Sequence, residues 1–504
     1  MKENTLTTSK SAAAPTSGAA RFTSFDPRDG SAIAHYPIAT EETVGQVVAD
    51  ARGAAQWWAG LGHAGRRSRL RGWGRVIASR IDDLATVISN ETGKTPSDAK
   101  AEVVVALDHL HWSSKHAART LRRRRRAPGM LMANHSAAVD YEPLGVVGVI
   151  GPWNFPLFTP MGSIAYALAA GNAVVFKPSE YSPGVGKWLV EAFGEVVPEQ
   201  PVFALLTGDG STGAALCGAD IDKIAFTGST ATGRRVMAQC ADRLTPVLME
   251  CGGKDAFIVD DDADVQAAAE AAVFGAMNNA GQACTAVERA YVVADVVEEF
   301  LDNVRKQCAV LVPGPGDGSS FGPITMPAQL ATIDRHVKAA VADGGRVVVG
   351  GPESVRPPYV HPIVLADVPE HCVAMTEETF GPVLVVNAVT SIDDAVRLTN
   401  ASSMRLGATV FGRRNVAHIA SRLQVGMVGV NSMIPYVAMP SLPFGGVADS
   451  GFGRIHGEEG LKEFARTKVV VRQLAPPAVK VLSFQKPRWA TDVLVRLAKV
   501  LYGR

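Results

Sequence analysis

A thiol, a carboxylate and an amide stand out in this chain as groups that can act together on a carbonyl. Cys284 lies in Gly281-Gln282-Ala283-Cys284-Thr285, after a helical stretch and before the apolar run Ala290–Val293. Small residues there let backbone N–H groups reach the sulfur, which lowers a thiol's pKa and later stabilises an oxyanion. Cys217, Cys240 and Cys308 fall in apolar or mixed helical stretches and read as packing residues, as does Cys251. Cys372 adjoins His371, but nothing else in the sequence supports a dyad there. Glu250 ends the apolar run Val247-Leu248-Met249 and precedes Gly252-Gly253. It is either a base that swings toward a substrate or a partly exposed strand-end carboxylate. Asn154, in Pro152-Trp153-Asn154-Phe155-Pro156, is either a rigid oxyanion donor or a turn-forming amide.

Two stretches can receive a dinucleotide. Gly208, Gly210 and Gly213 spell a glycine-rich fingerprint after an apolar run, but the acid expected about twenty residues on would have to be Asp220 or Asp222, which comes too early. Phe226-Thr227-Gly228-Ser229-Thr230-Ala231-Thr232-Gly233 fits better. Gly228 allows a tight turn, and Ser229 offers a hydroxyl and an N–H at a helix N-terminus, where a phosphate is favoured. Gly233 lets the helix pack closely. An ordinary N-cap by Ser229 or Thr230 explains the same residues equally well. Lys177-Pro178-Ser179-Glu180 follows a buried strand. Lys177 can donate to ribose hydroxyls and Glu180 can accept from them. A carboxylate near the 2′ position repels a 2′-phosphate, which favours NAD over NADP.

The elements that must position these groups follow from the pattern. Glu41–Leu121 is helical, with Val44, Val47, Val48 and Ala51 at 3–4 spacing. Apolar runs at Gly145–Pro156, Asn172–Glu180, Val202–Gly210 and Lys223–Thr230 alternate with helical Met161–Ala170, Val185–Val197 and Thr212–Cys217. A second series sets strands at Ala256–Val259, Ala290–Val293, Arg346–Val349 and Val383–Val386 among helices at Ala263–Ala276, Val297–Val310 and Ala328–Asp343. Buried strands alternating with helices predict an α/β fold with two parallel-sheet domains. At about 150 residues per domain, 504 residues make room for a third, small unit.

Lys+Arg (50) nearly cancels Asp+Glu (49), which excludes a global basic field for nucleic acid. Six cysteines without a paired zinc-ribbon spacing exclude a disulfide scaffold and give no metal site. They suit a reducing cytoplasm. The first twenty residues lack a signal-type apolar core and read as a disordered lead. No run of about 18 apolar residues occurs. Arg122–Arg126, five arginines in a row, read as a solvated face or loop. Trp489–Arg504 reads as a terminal helix, with Arg496 and Lys499 among leucines. It docks on the protein or on another subunit, or, as the minority reading, lies on a membrane surface.

The ordered set PWNFP, KPSE, FTGSTATG, ECGGK (Glu250–Lys254), GQAC, EETFGP (Glu377–Pro382) and PFGG (Pro443–Gly446) resembles the NAD(P)-dependent aldehyde dehydrogenases over about residues 21 to 470. The tail after it is similar, more loosely, to succinate-semialdehyde-type members. The resemblance implies that Cys284 attacks the aldehyde, that Asn154 and the Cys284 N–H hold the oxyanion, and that hydride leaves for the nicotinamide. Glu250 would then activate the water that hydrolyses the thioester. Trp153, Lys177, Ser179, Glu180, Gly228, Ser229, Gly233, Glu378 and Phe380 would hold NAD or NADP, with Glu378 on the nicotinamide ribose. The implied domains are a dinucleotide-binding domain (21–126 and 142–250), a catalytic domain (251–467) and a β extension (127–141 and 468–475). The extension would join subunits into a homodimer or homotetramer, and the tail (476–504) would follow it.

The sequence departs from the family pattern at Cys251, usually Leu, at Asp255-Ala256, usually Asn-Pro, and at Met404–Gly407. The Lys common after PFGG is also missing, with Ala448 in that region. None of these removes a catalytic group. Expected tunnel residues are Phe158, Met161, Ala283, Thr285, Met433 and Phe444, all apolar or small apart from the Thr285 hydroxyl. With no cation evident for a second carboxylate, they favour aliphatic or aromatic aldehydes. Succinic semialdehyde is the alternative, with Arg405 or Arg454 as donor. A non-catalytic member of the fold would not need the Cys284, Glu250 and Asn154 set. Transfer to coenzyme A would not need Glu250.

Overall fold

Thr40 caps the first long helix, Glu41–Gly60, by accepting from the Thr43 N–H, and Glu41 and Glu42 lie in its first turn. Both features favour a helix start. The expected helical region is four helices: this one, Gly62–Ser79, Ile81–Thr92 and Pro96–Thr120. Gly93, at φ 76°, ends the third in the left-handed region that suits glycine. The computed structural model describes residues 20–129, 132–477 and 483–503. The expected lead therefore lies outside the described residues, apart from Ala20.

The chain divides into two units. The first is Met1–Thr120 with Pro143–Ala465, and the second is Leu121–Glu142 with Arg466–Arg504. The first holds two large sheets. In one, the order is Gly451–Phe452, Val247–Cys251, Lys223–Gly228, Val146–Ile150, Ala173–Lys177, Phe203–Leu205. The last five strands run parallel, and Gly451–Phe452 is antiparallel to its neighbour. The Val146–Ile150 and Ala173–Lys177 strands are buried throughout, as continuous apolar runs in a covered parallel sheet must be.

The other sheet has the order Arg346–Val349, Ile363–Ala366, Val383–Val389, Val287–Val293, Asp255–Val259, Gly407–Phe411, Met427–Val430. Only its Arg346–Val349 edge is antiparallel. Its core packs Phe257, Tyr291, Phe300, Val337 and Leu384, all fully buried.

The second unit carries a three-stranded sheet, ordered Ala465–Gln473, His135–Pro143, Arg124–Arg126. A helix, Arg488–Tyr502, follows it. The arginine run is the solvated face expected, with Arg122, Arg123, Arg125 and Arg126 exposed, and Arg124, Arg125 and Arg126 form an edge strand paired with Val139, Ala138 and Ala137. Alternating side chains let a strand keep its cations at the surface. The expected boundaries shift. The extension claims Arg124–Arg126 from the expected 21–126 segment, and Gly451–Phe452, expected within 251–467, completes the first sheet instead.

Candidate active site

In the first sheet the chain runs from Val146–Ile150 outward on one side, then returns to Lys223–Gly228 on the other. The ends of these two strands form a topological switch point, where open α/β sheets bind ligands. Pro152, Trp153 and Asn154 leave one strand there, and Gly228 and Ser229 leave the other. All five line a cavity of about 200 Å³ with Thr227, Glu250, Cys251, Gly252, Cys284, Glu378 and Phe380.

The Asn154 loop is fixed from beneath. Lys94 and Glu102 form a fully buried ion pair. The Lys94 ammonium packs 3.7 Å from the Phe155 ring centre. Glu102 also accepts from the Leu157 and Phe158 N–H groups at 2.9 and 3.0 Å, at the start of the Phe158–Ala170 helix. A buried charge satisfied this fully is a rigid anchor. Asn154 Nδ2 donates to the Gln282 carbonyl at 3.0 Å, and the Asn154 carbonyl accepts from Asn279 Nδ2 at 3.2 Å. One amide hydrogen is thus pinned and the other is left for a second acceptor.

Glu250 is the penultimate residue of its strand, opposite Thr227, and is 1% exposed. Burial pushes its pKa up to about 7, while the Cys284 thiol and Thr227 hydroxyl favour its ionised form. Neither carboxylate oxygen closes a hydrogen bond of ordinary geometry. The Cys284 thiol is in turn pushed well above its usual value, first by burial and then by the Glu250 charge. All six cysteines are free, and only Cys284 is not fully buried.

Gly252–Lys254 carries the chain directly from the first sheet into the second. A Cβ on Gly252 would collide with the Glu378 carboxylate, and one on Gly253 with the Cys284 carbonyl. The Gly253 N–H donates to Glu378 at 3.0 Å. The glycine pair therefore lets two further loops close on the carboxylate at Glu250. Asn279, Ala280 and Gly281 sit consecutively at φ 52°, 56° and 69°, a left-handed bend that turns the chain toward Cys284. A buried Lys254–Glu288 pair holds the Glu378 loop. Glu288 accepts from Thr379 N–H at 2.8 Å and Phe380 N–H at 2.9 Å. The Phe380 ring meets Trp153 edge-on at 5.5 Å.

Of the residues expected to hold a cofactor, Trp153, Gly228, Ser229, Glu378 and Phe380 line this cavity, and Lys177, Ser179, Glu180 and Gly233 do not. Lys177 is buried, 3.1 Å from the Pro178 carbonyl and 3.7 Å from Glu180, so its ammonium keeps donors in hand. Ser179 donates to Glu180 at 3.4 Å. Ser229 caps the Thr230–Ala241 helix by accepting from Thr232 N–H at 3.3 Å, the ordinary capping geometry. Gly233 packs its backbone against Cys251 Sγ, where a Cβ would come to 3.0 Å. This donor set suits a nicotinamide dinucleotide: a helix N-terminus for phosphate, and a cation and a carboxylate for ribose. The rival glycine fingerprint carries its own anion. Asp209 caps the Gly210–Gly218 helix, accepting from Ser211 N–H at 2.9 Å. A carboxylate there repels a phosphate.

None of the six expected tunnel residues lines this cavity. Phe158 and Phe444 converge on His456, at ring distances of 5.8 and 5.7 Å, and His109 stacks beside it at 4.0 Å. Met161 is fully buried, Thr285 is buried and Ala283 is half-buried. Met433 packs on Gly275 and accepts from Thr409 at 3.8 Å. Arg405 is spent on the Ser402 and Asn400 carbonyls and Gln424, and Arg454 on the Gly446 and Gly453 carbonyls. Cys372 is buried, and no hydrogen bond joins it to His371 among the described residues. Sequence reading missed His109, His456, the Lys94–Glu102 pair and Glu288. Lone histidines and acids in helices and strands carry no local signal.

A ligand crevice at a parallel-sheet switch point, closed over a half-buried thiol, is the arrangement of a nicotinamide-linked oxidoreductase that works on carbonyls through cysteine. The chain belongs to the aldehyde dehydrogenase family, whose family model matches residues 14–470. It is 36% identical over 443 residues to a 4,4'-diapolycopene aldehyde oxidase from a Methylomonas species, covering 87% of this chain and 83% of that protein. It is 34% identical to a probable NADP(+) succinate-semialdehyde dehydrogenase of Sinorhizobium fredii, covering 89% and 92%. Among solved structures, an NAD-dependent aldehyde dehydrogenase from Sinorhizobium meliloti matches with a TM-score of 0.88 at 30% identity, covering 94% and 95%. The protein is an NAD(P)-dependent aldehyde dehydrogenase. Among the described residues, no helix is long and apolar enough to cross a membrane.

Proposed function

We propose that Cys284, Asn154 and Glu250 carry out the oxidation. The observation behind this is the unpartnered, fully buried Glu250 carboxylate beside the Cys284 thiol in a cavity that Asn154 also lines. The sulfur attacks the aldehyde carbon, and the thiol proton passes to Glu250. The free Asn154 amide hydrogen and the Cys284 N–H stabilise the oxyanion. A bound nicotinamide would supply the hydride acceptor, and loss of hydride from this carbon leaves a thioester on Cys284. Glu250 gives the thiol proton up to solvent and, ionised again, takes a proton from water; the hydroxide attacks the thioester, the C–S bond breaks with the sulfur leaving as thiolate, and the acid departs. Lys177, Ser179, Glu180, Ser229, Trp153, Phe380 and Glu378 would hold the cofactor, with Gly228 and Gly233 making room for it. Glu180 supports NAD over NADP.

The substrate is an apolar aliphatic or aromatic aldehyde. In support, both candidate arginines are spent on backbone carbonyls, which leaves a distal carboxylate without its donor. Succinic semialdehyde stays as the second reading because of the Sinorhizobium fredii relative. The three-stranded extension assembles subunits into a homo-oligomer, and six free thiols suit a cytoplasmic location. NADH formation with hexanal, benzaldehyde and succinic semialdehyde tests this reading. The expected order puts succinic semialdehyde last, and Cys284→Ala abolishes turnover. Full activity in that variant would refute the mechanism, and a strong preference for succinic semialdehyde would refute the substrate class.

A further inference from the structure

The helix Arg488–Tyr502 takes no part in this chemistry. At about 100° per residue, Trp489, Val493, Leu494, Leu497, Val500 and Leu501 fall within one half of its circumference. Arg488, Asp492, Arg496 and Lys499 occupy the other side. Only Ala490 is buried and Leu494 half-buried, while Val500 is 68% exposed and Trp489 54%. A continuous apolar face of this size in water marks a docking surface. The helix carries three cations against one acid, and among the described residues these cations make no ion pair.

We propose that this helix docks the enzyme on an anionic lipid bilayer. Its apolar face lies among the acyl chains, and Arg488, Arg496 and Lys499 sit at the level of the lipid phosphates. The argument is charge complementarity. Apolar residues alone would suit any greasy partner, but basic side chains flanking a leucine and valine face, with Trp489 at its border, match the boundary between phosphate and hydrocarbon. The helix lies along the surface, since it is too short and too polar to span. A second copy of this chain would cover the apolar face equally well but would leave the cations without a counter-charge.

Flotation of the full chain with phosphatidylcholine vesicles, with and without phosphatidylglycerol, tests the proposal. Binding is expected only with phosphatidylglycerol, and high salt should release it. Each cation is worth about a fivefold change in partition, so Arg496→Glu with Lys499→Glu should lower binding by well over tenfold. Leu497→Asp should abolish it. All variants should keep the aldehyde-dependent NADH formation of the parent, which shows that they fold. No flotation with either vesicle would overturn the proposal. So would equal flotation with both vesicles that the charge variant leaves unchanged. A fall in the light-scattering mass of Leu497→Asp without vesicle binding would also overturn it, and would make the face a subunit contact.

Discussion

Asp255 and Glu250 are buried acids with different duties, and pH separates them. Burial raises Asp255 to about 7 despite a 2.9 Å hydrogen bond from the Gly407 N–H, and its other oxygen has no partner. A folded-state pKa above the unfolded value means the fold prefers the protonated form. That contribution is complete below about pH 4 and is lost as pH rises through about 7. Asp255→Asn keeps an acceptor for Gly407 without the charge. It should raise stability at pH 8 by up to about 4 kcal/mol and leave it unchanged at pH 4, as read by denaturant melts. Glu250, also near 7, must be ionised to act as a base, so kcat should rise through about pH 7. Glu250→Gln should remove that limb and most of the turnover. Asn154→Ala should lower kcat by about 10²–10³-fold with little change in folding stability. Glu250 and Asn154 were legible in the sequence because each lies two residues from a Gly or Pro near a strand end, whereas Asp255 stood out only as a departure from the family pattern. The residues that aim them were not, since a buried ion pair such as Lys94–Glu102 joins positions on separate turns and owes its meaning to packing.

Helices and strands could be read because apolar runs of five residues and helical repeats report burial directly. Sheet order could not, because it is decided by long-range pairing. The Arg124–Arg126 strand shows the same gap: a run of one cation has no alternation to read, yet it pairs with Ala137–Val139. The Phe158–Ala170 helix shows what an element needs from outside itself. It has no side-chain N-cap of its own, and Glu102 supplies two acceptor contacts instead. Glu102→Gln should therefore leave Lys94 as a buried, unpaired cation and cost about 3–5 kcal/mol. The measurement is the denaturation midpoint, with loss of activity tracking the Asn154 loop. A midpoint within experimental error of the parent would show that the pair is not an anchor.

For the molecule as a whole, the Ala465–Gln473 strand lies at the edge of its sheet with Val469 and Val471 exposed on one face. Exposed edges of this kind pair or aggregate unless covered. If the extension assembles subunits, Val469→Asp with Val471→Asp should lower the light-scattering mass to that of one chain, and an unchanged mass would assign the edge elsewhere. The other edge worth following is the one that Gly451–Phe452 closes. In that register Gly451 faces Glu250, so the strand bearing Glu250 gains its outer neighbour from a segment some 200 residues later. During synthesis on the ribosome, at about 5–20 residues per second, that interval lasts roughly 10–40 s. Pulse proteolysis of stalled nascent chains should find the Val247–Cys251 edge open before residue 451 emerges and protected after it. The Glu250 strand is thus completed late in the synthesis of each chain, so a translation product cut short anywhere before residue 451 leaves the ribosome without the neighbour that closes this edge.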